Sequence, residues 1–409
     1  MTSPRSTAHV ALLRLLGPAI VAGVAYLDPG NVASNMTAGA RFGYLLVWVV
    51  VLGNLMAWLI QYLSAKLGLI TGRSLSELVG DRLRHRWSRR AYWLQAETVS
   101  MATDVAEVIG GAIALNLLTN LPLIAGGLIT GAVSIVLLLV QARGGARPFE
   151  YLIAGLMVLV SVGFTAGVVV DPPDGGATVA GLVPHFAGRE SVLLAASILG
   201  ATVMPHAIYA HSALTRDRFG HLTGTESRRR FLIATRIDVT VALTIAGTVN
   251  LAILLLAAHS LSGVANTDSL DGAHAAISVT LGPVVATLFA VGLLASGLAS
   301  TAVGAYAGAE IMSGLLHVRI PLTVRRVVTL LPALLVLTID VDPTRALLLS
   351  QVVLSFGIPF ALVPLVLFTR DRRLMGDMTN QWFTTLGATL AAVSLIVLNS
   401  LLLWLTILG

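Results

Sequence analysis

Two short segments of this 409-residue chain carry the side chains best suited to chemistry: Asp28-Pro29-Gly30-Asn31 and Met204-Pro205-His206. Carboxylate, amide, thioether and imidazole groups together make an inventory of cation ligands. Each segment lies near the middle of an apolar run long enough to cross a bilayer, where an unpaired backbone group costs several kcal/mol. Proline removes a donor and clashes with the preceding turn, so both runs are expected to unwind at membrane depth and turn carbonyls toward a polar ligand. Asp28 is the only acid in its run. An intramembrane carboxylate is a functional candidate by default. Asn31 offers an amide oxygen near the same turn, and unwinding before Pro29 would free the carbonyl of Ala25. Asp28 also reads as the N-cap of a half-helix beginning at Pro29, a role compatible with ligation. At the second break Met204 offers sulfur, which suits transition metals better than Mg2+ or Ca2+. Packing is its plainer use. Ala201, one turn earlier, would supply a second carbonyl. His206 can serve as a ligand or carry a proton, and imidazole chemistry alone does not separate the two.

The elements that must position these residues are membrane helices. Hydrophobic residues make up 56% of the chain and charged residues 11%, with a mean hydropathy of +0.87, outside the range of soluble domains. At roughly 20 apolar residues per span, the sequence predicts helices over 11–38 (broken at 28–31), 42–70, 91–118, 122–141, 149–170, 191–215 (broken at 204–206), 231–258, 275–300 with a possible extension to 316, 324–339, 344–368 and 382–407. This is an all-α polytopic membrane protein with eleven spans. There are no cysteines, so thiolate sites and disulfides are excluded and ligands must come from oxygen, nitrogen or thioether.

Charge segregation sets the expected orientation. With the N-terminus inside, only Arg41, Arg189 and Arg345 of the 26 basic residues fall outside, while Asp171, Asp174, Asp268, Asp271, Asp340 and Asp342 line the outer loops. The expected protein is multi-pass in the cell membrane, N-terminus cytoplasmic and C-terminus outside. The net charge of +6 then reflects orientation and lipid headgroups, not nucleic acid. No cleavable signal is expected, because the first apolar run is a full span carrying Asp28.

Pro29 and Pro205 each fall in the first of five spans. Five is odd, so the second set must insert inverted relative to the first, the architecture of transporters with a midplane site between discontinuous helices. The organisation read from the chain is a tail over 1–10, a first repeat over 11–170, a second over 191–370, and an eleventh span over 382–407 with no assigned transport role.

Four stretches carry a family resemblance: Leu27-Asp28-Pro29-Gly30-Asn31, Gly200-Ala201-Thr202-Val203-Met204-Pro205-His206, Ala102-Thr103-Asp104-Val105-Ala106-Glu107, and Ser300-Thr301 leading to Gly304-Ala305-Tyr306-Ala307-Gly308. From residue 10 to 400 the chain resembles the Nramp family of proton-coupled divalent metal transporters. The resemblance implies a LeuT-type 5+5 inverted repeat with discontinuous helices 1 and 6. It implies Mn2+ and Fe2+ as cargo, Cd2+ and Co2+ as further substrates, protons moving inward with the metal, and no permanently bound cofactor. It also assigns sulfur ligation to Met204, a metal-approaching role to Gln351, whose plainer use is a helix-helix hydrogen bond, and the proton side to His206, with Asp28 as the shared switch. Relatives that move Mg2+ lack the methionine.

Asp104 and Glu107, spaced i,i+3, share one helix face. They form either a proton route or structural ion pairs, with Arg218, Arg325 and Arg326 as candidate partners along what the family uses as an inner exit path. His211 is a candidate for gating or for polar helix packing. Glu97 is a further polar-path or scaffold residue outside the proposed site. The family often has glutamine near Ala309-Glu310 and a larger residue at Ala207, departures that touch no proposed ligand. The glycine-rich run at 110–127 lacks the Gly-Lys-Ser/Thr of a phosphate loop and is assigned to close helix packing. One complete repeat pair in one chain is expected to work as a monomer. A symporter of a small organic solute such as an amino acid is the rival on the same fold; its substrate carboxylate would be a poor neighbour for Asp28 and Met204.

Overall fold

The structure is a computed structural model that describes residues 17–407 except 145, 221–223, 268, 319 and 340. The expected tail over 1–10, the first residues of the first span, Arg5, Arg14, Asp268, Arg319 and Asp340 lie outside the described residues. The described part is helical, without a strand. In chain order the helices are α1 (Pro18–Val24), α2 (Pro29–Phe42), α3 (Val47–Thr71), α4 (Leu75–Arg82), α5 (Arg86–Thr119), α6 (Leu123–Gly144), α7 (Ala146–Val170), α8 (Gly175–Ala180), α9 (Arg189–Thr202), α10 (Pro205–Phe219), α11 (Thr225–Leu256), α12 (Leu270–Thr280), α13 (Pro283–Leu316), α14 (Leu322–Thr338), α15 (Pro343–Arg370), α16 (Arg372–Met375) and α17 (Trp382–Ile407).

Nine helical stretches among the described residues are long and apolar enough to cross a bilayer. One, Pro29–Thr71, runs 43 residues, which as a straight helix would be about 65 Å, twice the hydrocarbon core. It is interrupted at Gly43, whose φ of 56° suits glycine. The helix over Leu322–Thr338 has 17 residues and the piece Pro18–Leu27 is shorter still. The difference from the eleven expected spans lies in these three stretches.

Both expected breaks are present, and both are tighter than expected. A 3₁₀ turn over Ala25–Leu27 follows α1, Asp28 is extended (φ −64°, ψ 160°), and α2 starts at Pro29. Pro29, Gly30 and Asn31 are therefore already helical. In the second run α9 ends at Thr202, Val203 and Met204 leave helical geometry, and α10 starts at Pro205, so His206 lies inside a helix. The two prolines occupy the position where a missing N–H costs nothing.

Another boundary needs correction. The span expected over 275–300 begins at Pro283, because Gly282 (φ 93°) and Pro283 cut off the short helix α12 before it. The span then reaches Leu316, as the possible extension allowed. The helix α4, at 8 residues too short to span, begins with a reciprocal Ser74–Glu77 capping box.

Helix α5 packs most extensively on α13, and small residues let it approach closely. A methyl group at Gly110 would collide with Pro29, and one at Gly126 would lie 3.0 Å from Ala112, which bears out the packing role expected of the glycine run. Helix α15 contains Pro359 and Pro364. Each deprives the carbonyl four residues earlier of its donor. The Ser355 carbonyl accepts instead from Asn399 Nδ2 of α17, and the Phe360 carbonyl from the Tyr92 hydroxyl of α5.

Candidate metal centre

Asp28 sits at the first break with no exposed surface. Its Oδ1 accepts the Asn31 backbone N–H at 2.8 Å, so the expected N-cap forms. Its Oδ2 accepts from Gln351 Nε2 of α15 at 3.1 Å. Gly30 makes room for this contact, since a methyl group there would collide with the Gln351 side chain. No cationic side chain among the described residues pairs with Asp28. Gln351 Oε1 is buried without a hydrogen-bond partner.

The carbonyls released at this break differ from the expected one. Ala25 O is not bare; it accepts the Asp28 N–H at 3.3 Å within the 3₁₀ turn. The freed groups are Tyr26 O and Leu27 O. Tyr26 O accepts from Asn31 Nδ2 at 2.6 Å and Asn250 Nδ2 at 2.9 Å, and Leu27 O from the Ser296 hydroxyl. Asn31 Nδ2 also reaches Ala201 O at 3.5 Å, the contact that ties the two breaks together. Asn35 Nδ2 steadies Asn31 Oδ1 at 2.9 Å. Met204 is fully buried at the second break, where its side chain caps nothing.

No group of three His, Cys, Asp or Glu suited to a metal occurs among the described residues. A cation here would depend on one carboxylate with amide, carbonyl and thioether groups, a mixed set that a transition metal tolerates better than a hard ion.

One helix face away lies a network of the opposite character. Arg326 of α14, fully buried, donates from Nη1 to Asp104 Oδ1 at 2.8 Å, from Nε to Ser134 at 2.8 Å and from Nη2 to Thr301 at 3.3 Å. Arg325 bonds Glu97 at 2.8 Å and Ser100 at 2.9 Å, and lies 3.9 Å from Asp104 Oδ2. Glu107 rests against Gly304 with neither carboxylate oxygen hydrogen-bonded. It is within electrostatic reach of Asp104, Arg326 and Asp28. Ion pairing thus accounts for Asp104 and leaves Glu107 unpaired.

His206 points toward α5: its Nδ1 is 3.4 Å from Thr103 Oγ1, and its Nε2 is buried without a partner. His211 Nδ1 meets Gln61 Oε1 at 2.6 Å, and Gln61 Nε2 donates to the Tyr26 hydroxyl at 2.5 Å, joining α10 through α3 to the first break. Arg218 is not a partner of Asp104 or Glu107. It pairs with Glu150 at 3.5 Å, close to Asp238, whose carboxylate accepts the Gly17 and Ala19 N–H groups and caps α1. Arg216 instead gathers Glu77 at 2.9 Å and Glu310 at 3.0 Å.

Sequence reasoning left out Asn35, Gln61, Asn250 and Ser296, and set Glu97 aside. The spacing of Glu97, Asp104 and Glu107 at i, i+7 and i+10 places all three on one helix face. The amides are isolated polar residues inside apolar spans, which is the signal that finds them.

The fold and the site define a polytopic helical membrane protein built around a cation-suited polar centre between two broken helices. Residues 19–405 match the family profile described as natural resistance-associated macrophage protein-like (Nramp), and the chain belongs to that family. It is 58% identical over 395 residues to the divalent metal cation transporter MntH of Mycobacterium tuberculosis, covering 97% of this chain and 92% of that one. Among solved structures it is similar to the Eremococcus coleocola manganese transporter in complex with an aromatic bis-isothiourea substituted compound, with a TM-score of 0.86, 32% identity, and coverage of 95% of this chain and 85% of that one. A nucleobase-cation-symport-1 family transporter in a closed conformation shares the fold at a TM-score of 0.54 and 14% identity, with coverage of 95% and 92%.

Proposed function

We propose that this protein is a secondary transporter, not an enzyme, that carries divalent transition-metal ions into the cytoplasm by proton-coupled symport. Mn2+ and Fe2+ are the main cargo, and Cd2+ and Co2+ are accepted. The observation that carries this reading is Asp28: a fully buried carboxylate with no cationic partner among the described residues, beside an unpartnered amide oxygen on Gln351. A buried charge without a counter-charge is unfavourable unless a cation arrives or a proton neutralises it. Metal and proton therefore compete for one group, which is the basis of their coupling.

In this mechanism Asn31, Gln351, Met204 and the carbonyls of Ala201 and Ala25 complete the metal shell. Gln351 would ligate through its unpartnered Oε1 while Nε2 stays on Asp28, and Ala25 through the second lone pair of its carbonyl oxygen. The proton displaced from Asp28 passes to Glu107 and the Asp104–Arg326–Arg325 network, with His206 tuning the route and Arg218 on the inner side. His211, through Gln61 and Tyr26, gates the inner end of the first break. The architecture is eleven spans in a 5+5 inverted repeat, 11–170 against 191–370, with 382–407 outside it. The chain acts as a monomer in the cell membrane, N-terminus cytoplasmic and C-terminus outside. An amino-acid symporter is disfavoured, because a substrate carboxylate would face Asp28 with no cation between them.

Proteoliposome uptake tests the proposal. Mn2+ should enter with acidification of the lumen, and Asp28→Ala should abolish both; undiminished uptake in that variant rejects the site.

A further inference from the structure

A cleft of about 490 Å3 opens at the basic end of the molecule, between α4, the start of α5 and the end of α15. Its volume lies in the range of small-molecule sites. Arg82, Arg370 and Arg372 stand at its rim and Leu83, Tyr92 and Leu367 line its wall. None of the three guanidiniums has a hydrogen bond or ion pair among the described residues, whereas neighbouring Arg73 is paired with Asp81. Asp371 also lines the cleft, its carboxylate accepting the Arg373 backbone N–H at 2.8 Å as the cap of α16, and three guanidiniums against this one carboxylate leave the rim net positive.

The apolar wall continues out of the cleft along α15. Phe360, Val363 and Leu367, at i, i+3 and i+7, are 44%, 39% and 47% exposed and form a stripe toward the bilayer. A row of apolar side chains rising to three uncommitted arginines is complementary to an amphiphile with an anionic head. The stripe belongs to the lipid-facing surface of α15, so a headgroup at the rim has its acyl chain in reach, a contact that a free phosphate does not use.

We propose that this cleft binds one anionic phospholipid, its phosphate held by Arg82, Arg370 and Arg372 and an acyl chain lying along Leu367, Val363 and Phe360. The basic end is taken as cytoplasmic, in keeping with the orientation above. The site rests directly on the second proline of α15: Pro364 lines it, and Tyr92, whose hydroxyl holds the Phe360 carbonyl, forms its opposite wall. An occupant would press on the helix that carries Gln351 without touching the metal centre.

The test is native mass spectrometry and thermal melting of the full chain in detergent, titrated with phosphatidylglycerol, phosphatidylcholine or inorganic phosphate. Each arginine near an anionic headgroup contributes roughly a five-fold gain, so three give about a hundred-fold preference for phosphatidylglycerol at low salt. The expected result is one retained phosphatidylglycerol that raises the melting temperature. It is lost in Arg82→Gln/Arg370→Gln/Arg372→Gln and kept in the charge-matched Arg228→Gln/Arg229→Gln/Arg230→Gln. Leu367→Trp, which fills the wall and leaves all charges, should also expel the lipid and serves if the triple variant does not fold. Equal binding of the two lipids overturns the proposal, as does equal loss in both triple variants, or protection by phosphate alone. Because binding is read in detergent without uptake, its outcome is independent of whether the protein moves metal.

Discussion

Asp28 and Asp104 are the same side chain at zero exposure, yet they are set in opposite surroundings. Asp104 is clasped by Arg326 at 2.8 Å, while Asp28 receives only a backbone N–H and a neutral amide. Burial is therefore not what separates these two acids. The partner decides: a carboxylate matched by a guanidinium is satisfied in place, and one met by neutral donors still lacks a counter-charge that something mobile must supply.

The largest effect expected from this contrast is on stability. Asp104→Asn strands a buried Arg326 and should destabilise the protein by about 3–5 kcal/mol. Asp28→Asn removes an unmatched charge and should leave the melting temperature unchanged or raised, while abolishing Mn2+ uptake. If both variants melt alike, the distinction between the two acids is lost. A smaller effect concerns selectivity. Met204→Ala should weaken Cd2+ competition for uptake by about ten-fold and strengthen that of Mg2+ or Ca2+, and an unchanged order of competition would remove sulfur from the site.

The smallest expected effect lies outside the membrane at Glu77. Burial alone would raise its carboxyl, but the Ser74 N–H and the Arg216 guanidinium outweigh burial and hold it below the usual 4.5. A group depressed on folding adds stability above its unfolded value and loses it as the pH falls through the folded one. Glu77→Gln should thus lower the melting temperature slightly at pH 7, with the gap closing below about pH 4. A gap that persists in acid would show that Glu77 acts by packing and not by charge.

Much of this was legible in the chain because it is local. The Asp-Pro and Met-Pro breaks follow from proline chemistry, the Asp28 cap from its position before Pro29, and the shared face of Asp104 and Glu107 from helical spacing. What the sequence did not specify depends on partners far along the chain. Arg326 lies 222 residues from Asp104 and only the folded helices bring them together. Distance along the chain likewise hid the pairing of Arg218 with Glu150. The hydrogen bond on the Ala25 carbonyl was hidden for another reason: the run does not open into extended chain before Pro29 but tightens into a 3₁₀ turn, which releases the carbonyls of Tyr26 and Leu27. The span boundary near 275 failed because a hydropathy run reads through a Gly-Pro break, here Gly282-Pro283, that ends one helix and starts the next.

The prolines of α15 have a consequence for the last helix. Pro359 and Pro364 each turn a bond that would close within one helix into a bond made to another, Ser355 to Asn399 and Phe360 to Tyr92. The segment bearing Gln351 is thereby laced to its surroundings at two points five residues apart, like a splint tied above and below a joint. Helix α17, which carries none of the candidate ligands, supplies one of those ties. A chain that stopped before Asn399 would keep every candidate ligand and still lose the donor that steadies the rod on which Gln351 is mounted.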